Sequence, residues 1–484
     1  MINYRNSLWV LLLLLCLGAN KEVVAQINNY WSMGSNTYSS LLGGAVVGGG
    51  AGDVAIFYNP AAIMTEDQKQ IALNASLVSF NSHSYQNSLG YNRDLDYLEW
   101  GVKPRFLSYQ FKIKDKQRLT YQIAVFSRID QLTELYDQQT MKTKSITGNV
   151  DLDYTASYDF SRRYSDYWVG VGASYVVNSK FSIGLTLFGS GKSLRYYQSS
   201  VIDVDPETSL VSKNANWASV EKQYLYVISL IPKVGFLYDF GQLSMGLNIT
   251  IPSIRLWGDG YAKRTLSNTN VVYDGVLKDD YLRNEYNNYM VANIKEPLAI
   301  ALGLAYISNN EKSTYFFSME YFAPISTYRL LDNTKISSWG EDDFQPGSDF
   351  LSYKYGGKEV LNVAVGYEHI VSEKLSILSG FKTNFSAYDV SQSGEWETMK
   401  EYVIMSPPLY HISLGARFRY RSNTIVLGTE YILGISDNNI QLANYGYPGV
   451  YIEDEHFALQ NVPTNSMKYV SNALSFYIGY AFDF

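Results

Sequence analysis

From Gln70 to the end of the chain, apolar residues fall on every second position. Leu119, Tyr121, Ile123 and Val125 alternate with Thr120, Gln122 and Ala124. Leu243, Met245, Leu247, Ile249 and Ile251 alternate with Ser244, Gly246, Asn248 and Thr250. Leu298 to Tyr306 and Leu474 to Phe484 repeat the pattern, with Ala, Gly and Ser between the large residues. A period of two predicts strands with one apolar face. Many runs meet at short polar turns: Asp115-Lys116-Gln117, Asn178-Ser179-Lys180, Gly241-Gln242, Asn309 to Lys312, Ser372-Glu373-Lys374 and Arg421-Ser422-Asn423. These six turns join twelve strands, and a first strand near Ile71–Phe80 and a last one ending at Phe484 make fourteen.

The other connections are longer, roughly 15 to 35 residues, and rich in Tyr, Asp, Asn and Ser. Short turns on one side and long loops on the other is the layout of a bacterial outer-membrane barrel. The prediction is therefore an all-β fold: a 14-stranded antiparallel transmembrane β-barrel over residues 70–484. The even strand number places both mature termini on the periplasmic side. Aromatic residues recur beside the short turns, at Tyr175, Phe181, Tyr238, Tyr306, Tyr367, Tyr420, Phe482 and Phe484, where an interfacial girdle would sit. The runs reach about 12–15 residues, longer than the 9–11 that cross a bilayer, so the strands should project beyond it. A terminal Phe484 after an alternating strand is the signal that barrel assembly machinery would read.

The first residues read as an export address. Arg5 precedes an apolar core from Trp9 to Ala19, too short for a spanning helix. A small-residue site follows, with cleavage expected after Ala25, so residues 1–25 form a signal peptide. Nothing later resembles a transmembrane helix. Composition agrees with an exported barrel: 43 Tyr, 18% charged residues and a single Cys, which excludes a disulfide scaffold. The net charge of −7 argues against a nucleic-acid partner. The expected location is the outer membrane of a Gram-negative cell, in contact with its lipid.

If the apolar face meets lipid, the other face lines the lumen. It is small and glycine-rich, with Gly170, Gly172, Gly184, Gly246, Gly303, Gly366, Gly415 and Gly428. These relieve crowding in a curved sheet, or they make room for a plug or a ligand path. The same phase points Arg128, Glu320, Glu368, Arg417, Arg419 and Glu430 inward. One reading is an ion-pair network that braces the barrel. The sharper one makes Arg128, Arg417 and Arg419 candidates to bind a ligand carboxylate, which a guanidinium fork suits.

Residues 26–69 differ in composition. They hold Leu41 to Gly52, rich in Gly and small residues, then Asp53 and Tyr58-Asn59-Pro60-Ala61. Gly50 to Ala55 matches a weak dinucleotide fingerprint, but Pro60 follows closely and no βαβ unit surrounds it. A fourteen-stranded lumen is wider than side chains alone fill. A compact segment turning at glycines and at Asn59-Pro60 can fold into it as a plug. The plug candidates are Gly48, Gly49, Gly50, Gly52, Asp53, Asn59 and Pro60. This segment resembles the hatch of the FadL/TodX-type transporters of long-chain fatty acids and other hydrophobic compounds. Pro232 to Phe236 and Pro297 to Gly303 also look like that family. The resemblance implies that a hydrophobic molecule enters from outside, that the hatch moves, and that exit is sideways through a kink in the third strand. Here Leu119 to Ile129 carries no Gly or Pro to mark such a kink.

The residues suggest no enzyme, cofactor or metal. The four His are scattered, and His456 follows an acidic Glu453-Asp454-Glu455 loop. Gly189-Ser190-Gly191 approaches a nucleophile elbow but is read as a strand end. The expected function is transport of hydrophobic small molecules, most simply long-chain fatty acids. The alternative is a non-transporting barrel subunit of an outer-membrane assembly or secretion complex. The Tyr-rich stretch Gln441 to Tyr451 fits either a ligand mouth or a protein-docking rim.

Overall fold

The computed structural model describes residues 29–31, 36–65, 70–113, 118–144, 151–206, 214–336, 349–387, 407–447 and 449–483. The expected signal peptide, Asp115-Lys116-Gln117 and Phe484 lie outside the described residues. Fourteen antiparallel strands close into a barrel. The first six are β1 (Gln70–Gln86), β2 (Leu95–Lys112), β3 (Leu119–Lys144), β4 (Asp151–Asn178), β5 (Phe181–Pro206) and β6 (Ala215–Asp239). Four more run in two segments each: β7 (Leu243–Thr250, Ile254–Thr269), β8 (Tyr281–Ala292, Ala299–Ile307), β9 (Ser313–Phe322, Ile325–Ile336) and β10 (Tyr353–Gly357, Val360–Ser372). The last are β11 (Leu375–Asn384), β12 (Leu409–Tyr420), β13 (Asn423–Asn439) and β14 (Met467–Asp483). Pairing of β14 with β1, from Ile71 opposite Phe482 to Gln86 opposite Lys468, closes the wall.

The alternation sorts side chains by size. On β8, Ala299, Ala301 and Ala305 face inward and are buried, while Ile300 and Leu302 face out and are exposed. On β4, Val169 and Val171 are exposed either side of inward Gly170. A soluble domain would turn the large residues inward. This wall turns them outward, as a barrel facing lipid does. Beside the short turns the outward residues become aromatic. Tyr175, Tyr238, Tyr306, Tyr420 and Phe482 are exposed there, and Phe240 packs on Tyr238 with ring centroids 4.5 Å apart.

The strands are longer than the sequence reading allowed. β3 has 26 residues, β4 28, β5 26 and β6 25. Much of what reads as loop continues the ladder, with Glu134 opposite Ser161 and Lys144 opposite Asp151. The period of two persists there, with Leu152, Tyr154, Ala156, Tyr158 and Phe160 buried between more exposed neighbours. Its outward residues are Asp153, Thr155, Ser157 and Asp159, so the aliphatic stripe that marks the lower strands is missing.

Two irregularities shape the wall. The breaks in β7, β8 and β9 contain Pro252, Pro297 and Pro324, which have no N–H for a ladder. Between Ala292 and Ala299, β8 leaves the ladder and its Glu296 turns into the lumen. The second irregularity lies at β3, where the sequence carries no mark. The β2–β3 ladder runs only from Lys112 opposite Thr120 to Phe106 opposite Phe126. Beyond it β2 pairs with β1, and β3 with β4. At Arg128 the β3–β4 register shifts by one residue. A bulge of this kind needs neither Gly nor Pro.

Candidate functional site

Residues 36–65 sit inside the barrel. Asn36 caps helix α1 (Thr37–Leu41), its side chain accepting from Ser39 N at 2.7 Å. Two short 3-10 turns, Gly52–Val54 and Pro60–Thr65, and the helical turn Ala55–Tyr58 follow. Leu41, Leu42, Val46, Val47, Val54, Ile56 and Ile63 are fully or almost fully buried against the wall.

The inward glycines are the seat of this plug. A Cβ on Gly172 would press on Ile56 and Ile63, on Gly184 on the Pro60–Ala61 backbone, and on Gly246 on the Val47 carbonyl. On Gly303 it would meet Gly48, on Gly366 Leu42, and on Gly415 and Gly428 Leu41. Gly235 and Gly380, absent from the sequence reading, complete the belt against Asn59 and Gly43. Pairing sets many of these residues side by side, as in Gly184–Gly235, Gly246–Gly303, Gly366–Gly380 and Gly415–Gly428. From β4 to β13 every strand but β9 gives a glycine to the belt. On β9 the neighbour is Ser318, whose Oγ accepts from Val47 N at 3.3 Å. Gly170 is the exception among the expected set, because its inner side meets Phe188 rather than the plug.

Wall side chains supply the hydrogen bonds that the plug backbone lacks. Gln122 Oε1 accepts from Ile56 N at 3.0 Å, and its Nε2 donates to Asp53 O at 2.6 Å. Ser174 and Ser182 both donate to Ala61 O. Ser244 donates to Gly48 O at 2.6 Å. Asn59 is fully buried. Its Nδ2 donates to Val47 O at 2.9 Å and to Phe236 O at 3.0 Å, while its Oδ1 accepts from Ala61 N. Asp53 accepts from the Asn36 side chain. Gly49, Gly50 and Gly52 take positive φ in the turns between Val47 and Val54. Pro60 opens the last 3-10 turn.

The chain leading to the plug also lies in the lumen. Asn29 Nδ2 donates to Asn384 O at 2.7 Å, and Asn384 Nδ2 donates to Trp31 O at 2.8 Å. Asn384 is at the end of β11 away from its short turn. Residues 29–31 therefore lie within the barrel, at that end of β11.

The inward charges form two braces. Arg128 pairs with Asp166 at 3.2 Å and Glu296 at 2.8 Å, and donates to Tyr30 O at 2.9 Å. Lys192 of β5 reaches the same Glu296 oxygen at 2.9 Å. This clasp pulls the β8 break inward. In the other brace Arg417 pairs with Glu368, which also accepts from the plug residue Tyr38 at 2.7 Å. Arg419 is exposed near the β12–β13 turn. Two of the three candidate ligand arginines thus already hold protein carboxylates. Ser190 lies in the middle of β5, not at its end, and donates to Asp166 at 2.8 Å.

An aromatic cluster stands where the β2–β3 ladder stops. Phe57 of the plug packs edge-on against Phe126, Trp168 and Phe188, at 5.4, 5.9 and 6.4 Å between ring centroids. Phe106 joins Phe126 at 5.8 Å. Lys233 Nζ lies 4.1 Å from the Phe57 ring centre and donates to Phe57 O.

The outer mouth is covered by the connection from β13 to β14. Tyr445 is buried and hydrogen-bonds Ser200 Oγ at 2.8 Å and Ser157 O at 3.0 Å. Tyr154 donates to Leu459 O at 3.0 Å, and Trp217 Nε1 to His456 O at 2.9 Å. His456 stacks on Tyr281. From the Gln441 to Tyr451 stretch, read as a mouth or a rim, Gln441, Ala443 and Tyr445 are thus buried.

No protein-family model matches the sequence, and no curated protein does. Solved structures share the architecture. The toluene transporter TodX of Pseudomonas putida is 13% identical with a TM-score of 0.56, over 93% of this chain and 99% of that one. A FadL homologue of Pseudomonas aeruginosa is 12% identical with a TM-score of 0.55, over 93% and 98%. The toluene transporter TbuX of Ralstonia pickettii is 11% identical with a TM-score of 0.53, over 94% and 100%. The chain has the FadL/TodX-type fold, whose solved examples here are transporters and channels rather than enzymes.

Proposed function

We propose that this chain is an outer-membrane channel of the FadL/TodX type, which carries hydrophobic small molecules and is closed at rest by its amino-terminal segment. The observation that carries this reading is the plug on its glycine belt. A segment that merely filled the wide lumen could pack against large wall side chains. Glycines on nine strands instead keep room for a separate segment that meets the wall through apolar packing and through hydrogen bonds, which can be exchanged as it moves. The membrane location rests on the outward apolar band and its aromatic border. The signal peptide, and assembly through the strand ending at Phe484, belong to the same proposal.

Phe57 supports a path. A molecule that took the place of its ring would stand beside Phe106 and Phe126, where β2 and β3 part company. Above that point the two strands share no ladder, so the wall offers a sideways exit toward lipid. The cargo we favour is the long-chain fatty acid, because the lumen holds two apolar clusters in succession beyond the plug, around Tyr158 and around Tyr164. The stretch Gln441 to Tyr451 fits either this reading or the rival, a complex subunit, and burial of Gln441, Ala443 and Tyr445 leaves less of it for a docking rim.

The test is mass spectrometry of lipids and proteins on the barrel purified gently from its own membrane. A stoichiometric apolar molecule with no constant protein partner supports the transporter. A constant set of partner proteins around an empty lumen replaces it with the complex subunit.

A further inference from the structure

On the outer face of the wall the apolar band ends at a definite level. On β6 the outward residues rise from Tyr238 through Phe236, Val234, Leu230 and Ile228 to Tyr226. At about 3.3 Å per residue and a tilt of about 40°, that climb is about 30 Å, the thickness of a hydrocarbon core. The next outward positions, Tyr224 and Lys222, stand at the height of lipid head groups.

Pairing gathers four cations there. Arg163 of β4 stands opposite Arg195 of β5. Arg195 stands opposite Tyr224 of β6, and its guanidinium lies 5.2 Å from the centre of that ring. One outward step higher, Lys222 of β6 stands opposite Lys263 of β7. All four are exposed. Tyr197 and Tyr286 flank the lysines on the same ladder row, and Tyr261 flanks Tyr224. Like charges directly opposite across an antiparallel pair are destabilising. Arg163 is answered by Asp130 at 3.5 Å. Among the described residues, Arg195, Lys222 and Lys263 have no carboxylate within ion-pair distance. At this height the outward face of β5 to β7 carries one acid, Asp259, which stands opposite Tyr226, two outward steps below Lys263.

The wall beneath Arg195 is furrowed. Gly191 and Gly189 are the outward residues of β5 inside the band, and a Cβ on Gly191 would meet nothing within 4 Å. Tyr167 and Val169 of β4 stand beside them on one side, Ile228 and Leu230 of β6 on the other. Three cations in excess thus sit at the head of an apolar furrow that runs down into the membrane. Basic clusters at a membrane surface attract anionic lipid. A phosphate monoester carries about −1.5 to −2 charges at pH 7, and it suits both the lysine point charges and the arginine fork. A free anion would leave the furrow bare. A lipid fills it with an acyl chain and brings its phosphate to the height of the cations.

We propose that Arg195, Lys222 and Lys263 bind the phosphate of an outer-leaflet lipid whose acyl chain lies along Gly191 and Gly189. The site is on the outside of the wall, separate from the lumen and the plug. It rests on the membrane location proposed above and adds to it a fixed anionic lipid.

The test uses the full chain in phosphatidylcholine nanodiscs doped with equal small amounts of two probes. One is lipid A with two phosphates, and the other is the same lipid without them. Native mass spectrometry reads which lipid stays on the barrel. The wild type should retain the phosphorylated form about tenfold or more over the other. Lys222→Gln with Lys263→Gln should abolish that preference. Gly191→Leu, which fills the furrow, should lower retention of the phosphorylated form severalfold. Lys374→Gln with Arg421→Gln makes the same charge change beside the short turns and should leave retention unchanged. No preference in the wild type overturns the proposal, as does an equal loss in the control pair, or unchanged retention in the lysine or glycine variant. Displacement of the lipid by inorganic phosphate would show a free-anion site and overturn it too. If the barrel enters the bilayer without preference, only this inference fails. If it enters no bilayer, the membrane location fails with it. Heat-modified gel mobility of each variant confirms that the barrel has folded.

Discussion

The carbonyl oxygen of Val47 lies 1.9 Å from the place a Cβ on Gly246 would occupy. No side chain fits there unless the plug moves, so this one contact couples the wall sequence to the closed state. Gly246→Val should leave β7 formed, since valine favours strands, and dislodge the segment around Val47. The expected result is a larger single-channel conductance in planar bilayers. Gly191→Val is the control, because a Cβ at Gly191 meets nothing within 4 Å. Equal conductance in both variants and the wild type would remove the belt's role as the plug's seat.

Asn59 joins the plug to itself and to the wall through Val47 O and Phe236 O. Replacing Asn59 and Pro60 by alanine deletes both donors and relaxes the turn that follows. A buried acceptor left unsatisfied costs about 1–3 kcal/mol, enough to change how often the plug opens without unfolding the barrel. Conductance and uptake of a hydrophobic probe should both rise. Wild-type values for both would rule the contact out as a latch.

The lower barrel is legible because lipid demands large residues outside while the plug demands small ones inside. Gly246 and Leu247 declare their faces by size alone. The ring of inward glycines is readable for the same reason, and so is its occupant, the small-residue segment before the first strand; which plug residue seats on which glycine is not, since contacts such as Val47 on Gly246 join residues distant in sequence. Tyr154, Tyr158 and Phe160 are hidden because Asp151 to Phe160 carries no aliphatic stripe and reads as loop. Extending the period of two upward from Trp168 through Tyr164 would have put them in the lumen. Glu296 is hidden for a different cause: it sits in a proline-marked break where period two stops. The β3 bulge at Arg128 has no residue signature at all, because its cause is pairing with β4.

Glu296 holds the β8 break inside the lumen by bonding Arg128 and Lys192. Glu296→Gln keeps the shape and removes the charge, leaving the two cations with Asp166. Breaking a buried ion pair from one side costs about 3–5 kcal/mol. The variant should unfold at lower temperature in heat-modifiability assays. Glu296→Gln combined with Lys192→Met should recover part of the loss by removing one unmatched cation. An unchanged transition in the single variant would mean that the apolar packing of Ile294, not the clasp, holds the break inward.

The cover of the mouth is tied down by Tyr154 to Leu459 O and by Tyr445 to Ser157 O. Both phenols are buried, and burial pushes their pKa values up, so they remain neutral donors at any pH the barrel meets. The cover should therefore hold equally at pH 6 and pH 9. Each hydrogen bond contributes about 0.5–1.5 kcal/mol, and the phenylalanine variants keep the ring packing intact. Tyr154→Phe with Tyr445→Phe should raise the open population of residues 440–466 roughly tenfold or more. Limited proteolysis from the outer side measures this directly, because cleavage follows the open population when closing is fast. The barrel's thermal transition should stay near the wild-type value, since the strands β13 and β14 that flank the cover keep their ladder. Unchanged cleavage would show that apolar burial around Tyr445 alone keeps the mouth covered. Faster cleavage together with faster uptake would make this connection a second gate in series with the plug.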